Sequence, residues 1–194
     1  MGSNPNKLRL ILFSGLCTAI TAALAQMVII LPFSPIPITL QVFAVSMAGI
    51  LLGSKAGAIS QGVYILIGIC GIPVFAGLES GPGVLMGPKG GYLAAFPVMA
   101  FITGKIVEYF DNRGTLTRLK TVFASAAGLA ICYAAGTAWL GYSLKLGFIN
   151  ALAMGTGLFL PFDAVKIIIA SIAGFETRKA LSKAGLGYFK SASA

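Results

Sequence analysis

Apolar segments long enough to cross a bilayer follow one another along this 194-residue chain, and almost no charge interrupts them. Of its residues, 57% are hydrophobic and 10% charged, where an ordinary soluble domain carries about 25% charged residues. A soluble fold of this length has no interior able to hide so much apolar surface, so the surrounding solvent must be lipid. The 25 glycines agree, since glycine is more frequent in membrane helices than in soluble ones. The expected fold class is all-α and integral to the membrane, a single membrane domain over 1–194, with 1–4 and 191–194 read as additions at its ends. The first apolar run, 8–31, exceeds the ~7–15 residues of a signal-peptide core, so no cleavable signal is expected.

Six transmembrane helices are expected, at 8–31, 39–53, 56–70, 91–110, 122–144 and 161–181; the stretch 150–157 is either loop or an earlier start of the last. Pro32, Pro35 and Pro37 end the first, because proline cannot sustain the helical ladder, and Pro161 suits a first helical turn. Segments two and three are short: fifteen residues rise only ~22 Å against a hydrocarbon core of ~30 Å. The connection between helices three and four, GIPVFAGLESGPGVLMGPKGG at 71–91, is long, rich in Gly and Pro, and apolar. Non-helical backbone at lipid depth must be buried in protein or line a cavity. The connection therefore reads as a lid folded over the bundle and closing a pocket; a plain solvent loop is the alternative.

The formal charge of +9 invites a nucleic-acid reading, but no basic stripe with interleaved aromatics accompanies it. Topology explains it better. With an even number of crossings both termini share one side, which collects Lys7, Arg9, Lys55, Lys105, Arg113, Arg118, Lys120, Arg178, Lys179, Lys183 and Lys190. The other side holds Lys89 and Lys145. Positive residues favour the cytoplasm, so both termini are expected there and the Pro-rich turn, the lid and the start of the last helix outside.

Two charges break the apolar pattern from within. Asp163 and Lys166 lie in GLFLPFDAVKIIIASIAGF at 157–175. A charge at the bilayer centre costs ~2.5–3.5 kcal/mol on insertion scales unless something compensates it. Three residues apart on a helix, the two share a face. They mark either a ligand site or an internal ion pair, with Asp163 also favoured by the helix N-terminus. Thr39, Gln41, Glu79, Lys89, Tyr92 and Asn150 are the other polar groups near this outer region, and Phe43, Phe75, Tyr92, Trp139 and Phe162 could line apolar walls. A few placed polar groups in an apolar cavity is the usual recipe for a small-molecule site. An Asp acceptor and a Lys donor one turn apart would suit a neutral urea-like or amide group.

Other chemistry is thin. There is no histidine, and Cys17, Cys70 and Cys132 are far apart in apolar segments, so no metal site, cofactor site or catalytic residue is expected and the cysteines read as buried small hydrophobes. Only five acidic residues are present and no phosphate-binding GxxxxGK[ST] occurs, which excludes a Walker-type ATPase within the chain. An intramembrane enzyme using Asp163 and Lys166 would need a second acid or nucleophile facing them. A self-sufficient carrier is weakly disfavoured by the lack of a clear internal repeat. Ala19 and Ala23, like Gly49, Gly53 and Gly57, repeat small residues at four-residue spacing, for internal packing or for a partner helix.

PFSPIPITLQ at 32–41, GIPVFAG at 71–77, GPKGGYL at 87–93 and PFDAVKIIIA at 161–170 together resemble the BioY family, the biotin-specific S components of energy-coupling factor (ECF) transporters. The resemblance covers about 8–181. It implies a multi-pass protein of a bacterial cell membrane that binds biotin from outside, without an ATPase of its own. Its partner would be an ECF module of two cytoplasmic ATPases and a transmembrane coupling protein. Carried onto this chain, Asp163 would accept the ureido N–H groups of biotin and Lys166 would donate to its carbonyl. Tyr92, Gly91, Asn150, Thr39 and Gln41 would contribute further contacts, and the valerate carboxylate would lie nearer the lid, towards Lys89 or backbone N–H groups. Lys89 departs from the threonine common at that place in the family. Ala19 and Ala23 look like the small-residue motif by which S components dock on the coupling protein. Capture would be followed by rotation of the whole S component in the membrane.

Overall fold

The computed structural model describes residues 5–185 except 33 and 35; Pro35 of the proline-rich break, Lys190 and the end segments 1–4 and 191–194 lie outside the described residues. Among the described residues, five helices are long and apolar enough to cross a membrane.

The first helix, α1 (Pro5–Ala25), turns a stripe of Cys17, Thr18, Thr21 and Ala25 inward and exposes Leu8, Leu12, Leu16 and Ile20. Its polar inner residues are satisfied across the interface. Thr18 Oγ1 donates to the Ser60 carbonyl at 2.9 Å, and Gln61 Nε2 donates to Thr21 Oγ1 at 3.2 Å. The helix ends at Ala25 rather than near 31. Val28, Ile29 and Ile30 are β-branched, and Pro32 bars its predecessor from helical backbone. The chain instead makes β1 (Val28–Ile29), paired antiparallel with β2 (Ile38–Thr39) in the register Val28↔Thr39 and Ile29↔Ile38. This small ribbon is a correction to the purely helical expectation.

Next comes α2 (Gln41–Ile69), broken at Gly53, whose φ of 77° and ψ of −172° belong to glycine alone. A Cβ on Gly57 would sit 3.1 Å from Gly49 Cα. Eight residues of straight helix would separate these positions by ~12 Å, so the chain folds back at Gly53 and its two halves touch through glycine. The break leaves helix-end groups without partners, and charged side chains supply them. Glu108 accepts from the Ser54 N–H and from Ser54 Oγ, each at 2.8 Å. Arg178 Nη1 donates to the Ile50 carbonyl at 2.7 Å while Nη2 holds Asp111 at 2.6 Å.

The segment 70–89 is tied to the bundle and contains a short helix, α3 (Pro82–Met86), not foreseen in the sequence. Phe75 is 1% exposed and meets Tyr64 edge-on at 5.6 Å. Gln26 Nε2 donates to the Val74 and Phe75 carbonyls at 3.2 and 3.1 Å, and its Oε1 accepts from Leu78 N–H at 2.9 Å. Beyond it run α4 (Gly90–Asp111) and α5 (Arg118–Ser143), close to the expected bounds. The ambiguous stretch forms α6 (Phe148–Leu152) and a π-helical turn (Ala153–Gly157), leading into α7 (Leu160–Lys183) with Pro161 in its first turn. The core is built from α2, α4 and α5, through Val45, Tyr64, Phe96, Met99 and Leu129, with Phe75 and Phe159 folded in from the connections. Cys17 and Cys132 are buried as expected, whereas Cys70 is exposed.

Candidate ligand site

Pro161 starts α7 just after the π-helical turn, and this puts Asp163 in its first turn, 5% exposed. Both carboxylate oxygens are bonded. Lys166 Nζ donates to Oδ1 at 2.6 Å, and Tyr133 Oη, from α5, donates to Oδ2 at 2.8 Å. The internal ion pair exists, therefore, and it also borders a cavity. That cavity encloses ≈ 480 Å³ of empty space, part of it open to the exterior. Asp163, Lys166 and Tyr133 form its charged end, Thr39, Gln41 and Tyr92 its other polar groups, and Ile36, Pro37, Ile38, Val42, Phe96 and Phe159 its apolar walls.

A neighbouring cavity of ≈ 340 Å³ shares Ile36, Pro37, Gln41, Tyr92 and Phe96 with the first and reaches Phe75, Val84 and Lys89. At that far end Lys89 Nζ donates to Glu79 Oε1 at 2.7 Å. Gln41 stands between the two spaces. Its Oε1 accepts from Thr39 Oγ1 at 2.9 Å, and its Nε2 donates to Tyr64 Oη at 2.8 Å, which in turn donates to the Val74 carbonyl at 3.0 Å. Tyr92 is held differently: its hydroxyl donates to the Gly155 carbonyl of the π-helical turn at 2.9 Å and lies 3.2 Å from Thr137 Oγ1.

The structure brings Asp163, Lys166, Tyr92, Thr39 and Gln41 to one cavity and Lys89 to the adjoining one. Asn150 is exposed on α6 and lines neither. Gly91 lines neither and lies behind the wall, where a Cβ would fall 2.3 Å from Trp139 Cβ. Trp139 is engaged there too, its indole N–H donating to the Gly87 carbonyl at 2.9 Å. Phe75 lines the second cavity, but Phe162 is 51% exposed, and it and Phe43 line neither. Ala19 and Ala23 are exposed on α1. Sequence reasoning missed Tyr133. The signal was a lone tyrosine inside the apolar run AICYAAG, because a buried phenol needs a hydrogen-bond partner.

Chemically, the charged end presents donors and acceptors side by side. Lys166 carries three N–H donors and gives one to Asp163, while a carboxylate offers about four lone-pair sites, of which two are taken. A compact planar group with adjacent N–H and C=O functions fits that set. Among the described residues no cluster of His, Cys, Asp or Glu could hold a metal ion.

The BioY family model matches residues 2–183. The biotin transporter BioY of Thermotoga maritima is 33% identical over 172 residues, covering 89% of this chain and 97% of the relative. The probable biotin transporter BioY of Pyrococcus horikoshii is 40% identical over 157 residues, covering 81% and 88%. A crystal structure of the S-component for biotin from an ECF-type ABC transporter superposes with a TM-score of 0.85 at 27% identity, covering 92% of this chain and 95% of that one. With a family model spanning nearly its whole length, and relatives and fold that agree, the chain belongs to the BioY family.

Proposed function

We propose that this chain is the biotin-binding S component of an ECF transporter, capturing biotin at the extracellular face for ATP-driven import by a partner module. It is a transport subunit rather than an enzyme, as its family membership implies. The observation that carries the substrate reading is the buried Asp163–Lys166 pair at the end of a cavity that adjoins a second one reaching Lys89. A ureido ring has the N–H and C=O groups that Asp163 and Lys166 would bind. The apolar walls would take the thiophane ring and valerate chain, and the carboxylate would lie towards Lys89. Tyr92, Thr39 and Gln41 line the path, and Gly91 supports it from behind; Asn150 would join only if α6 moved. Ligand entry would loosen Lys89 from Glu79.

The fold-back at Gly53 supports counting α2 as two crossings, hence six in all, with both termini cytoplasmic. The segment 70–89 acts as the lid, held shut by Gln26, Tyr64 and Phe75. Ala19 and Ala23 face outward for docking on a transmembrane coupling protein, which two cytoplasmic ATPases would drive. Calorimetric titration of the detergent-purified chain with biotin and with biotin methyl ester tests the substrate. Tight binding of biotin and weaker binding of the ester are expected; no heat with either would end the proposal.

A further inference from the structure

Asp163 has two partners, and only one of them is an ion. Tyr133 lies on α5, a different helix from the one that carries Asp163 and Lys166. Its hydroxyl donates to Oδ2, its side chain borders the cavity, and the residue is only 8% exposed. Packing alone would be served as well by phenylalanine. The hydroxyl is kept where desolvation penalises an unpartnered polar group, and it is spent on the carboxylate.

Lys166 alone would not orient Asp163. It sits one turn away on the same helix, on a long flexible stem, and the terminal torsion of an aspartate is broad. A second bond, to the other oxygen and from another helix, removes that freedom. We infer that Tyr133 is a positioning residue for ligand recognition: its hydroxyl, with Lys166, fixes the plane of the Asp163 carboxylate before the ligand arrives. The two remaining lone-pair sites are then set in advance for a pair of N–H donors on a rigid ring. Such preorganisation raises affinity by removing an ordering cost at the moment of binding. A flexible donor gains little from it, so the residue also sharpens selection for a cyclic ligand.

This inference rests on the reading of Asp163 as a ligand contact, and two measurements separate the failure of one from the failure of the other. In the first, biotin is titrated into the full chain carrying Y133F, D163N or both. Y133F is expected to weaken binding by about tenfold, and by less than about twofold once D163N is present, because the hydroxyl acts through that carboxylate. Wild-type affinity in Y133F, or an equal loss in both backgrounds, would overturn the inference. In the second, 3-fluorotyrosine is incorporated and its resonance at position 133 is followed without ligand. That resonance is expected to differ between the parent chain and D163N, and an unmoved signal would overturn the inference whether or not biotin binds.

Discussion

At position 163 a single carboxylate joins two helices: it stands at the start of α7, is held by a lysine one turn on, and accepts from a phenol of α5. A double substitution removes both charges together, whereas a single one strands a buried partner. D163N and K166A are each expected to weaken biotin binding by about 1–3 kcal/mol, because one hydrogen-bonding group of the ligand or of the pocket is left unsatisfied. Titration of both variants checks this, and unchanged affinities in both would reject the assigned pocket. Asp163 and Lys166 were legible in the sequence because charge inside an apolar run has few reasons to exist. Tyr133 and Phe159 were not: which residue of α5 or of the turn before α7 meets the cavity depends on how the helices pack, and no spacing along the chain encodes that. Asn150 and Phe162 show the converse, since nearness in sequence to the charged pair did not put either side chain on the cavity wall.

Among the elements, α2 shows how local chemistry sets architecture. The sequence marks two short segments there, and the structure divides them at Gly53, with Ser54 and Ile50 satisfied by Glu108 and Arg178. G53A is expected to lower stability by about 1–3 kcal/mol, because alanine strains in that backbone region. A thermal melt in detergent reads it. R178A is expected to destabilise by about 3 kcal/mol, since Asp111 and the Ile50 carbonyl lose a buried partner. A melting temperature equal to that of the parent chain would show that water replaces the guanidinium. The helix segments were mostly readable, because their apolar lengths and their Gly and Pro punctuation are local properties. The stop at Ala25 was less so: the run to Leu31 stays apolar, and only the pairing of β1 with β2 shows that its β-branched residues prefer the strand.

On the scale of the whole molecule, the fold holds a cavity with a charged pair at one end. Its sequence contains no phosphate-binding GxxxxGK[ST] motif. In the proposed reading, net uptake would draw on another polypeptide. The face of α1 with Ala19 and Ala23 is where that coupling would be made: both alanines are exposed, four residues apart, and a Cβ added at nearby Gly15 would meet nothing within 4 Å. A helix of a coupling protein can approach such a stripe closely, and a bulky side chain would hold it off. Replacement of Ala19 and Ala23 by leucine is therefore expected to leave biotin titrations unchanged, since neither residue borders a cavity, while co-purification with the coupling protein is lost. Vesicles holding the chain alone should bind biotin without accumulating it. Accumulation without an ATPase would make this a self-sufficient carrier, and intact co-purification of the leucine variant would move the docking surface to another face of the bundle.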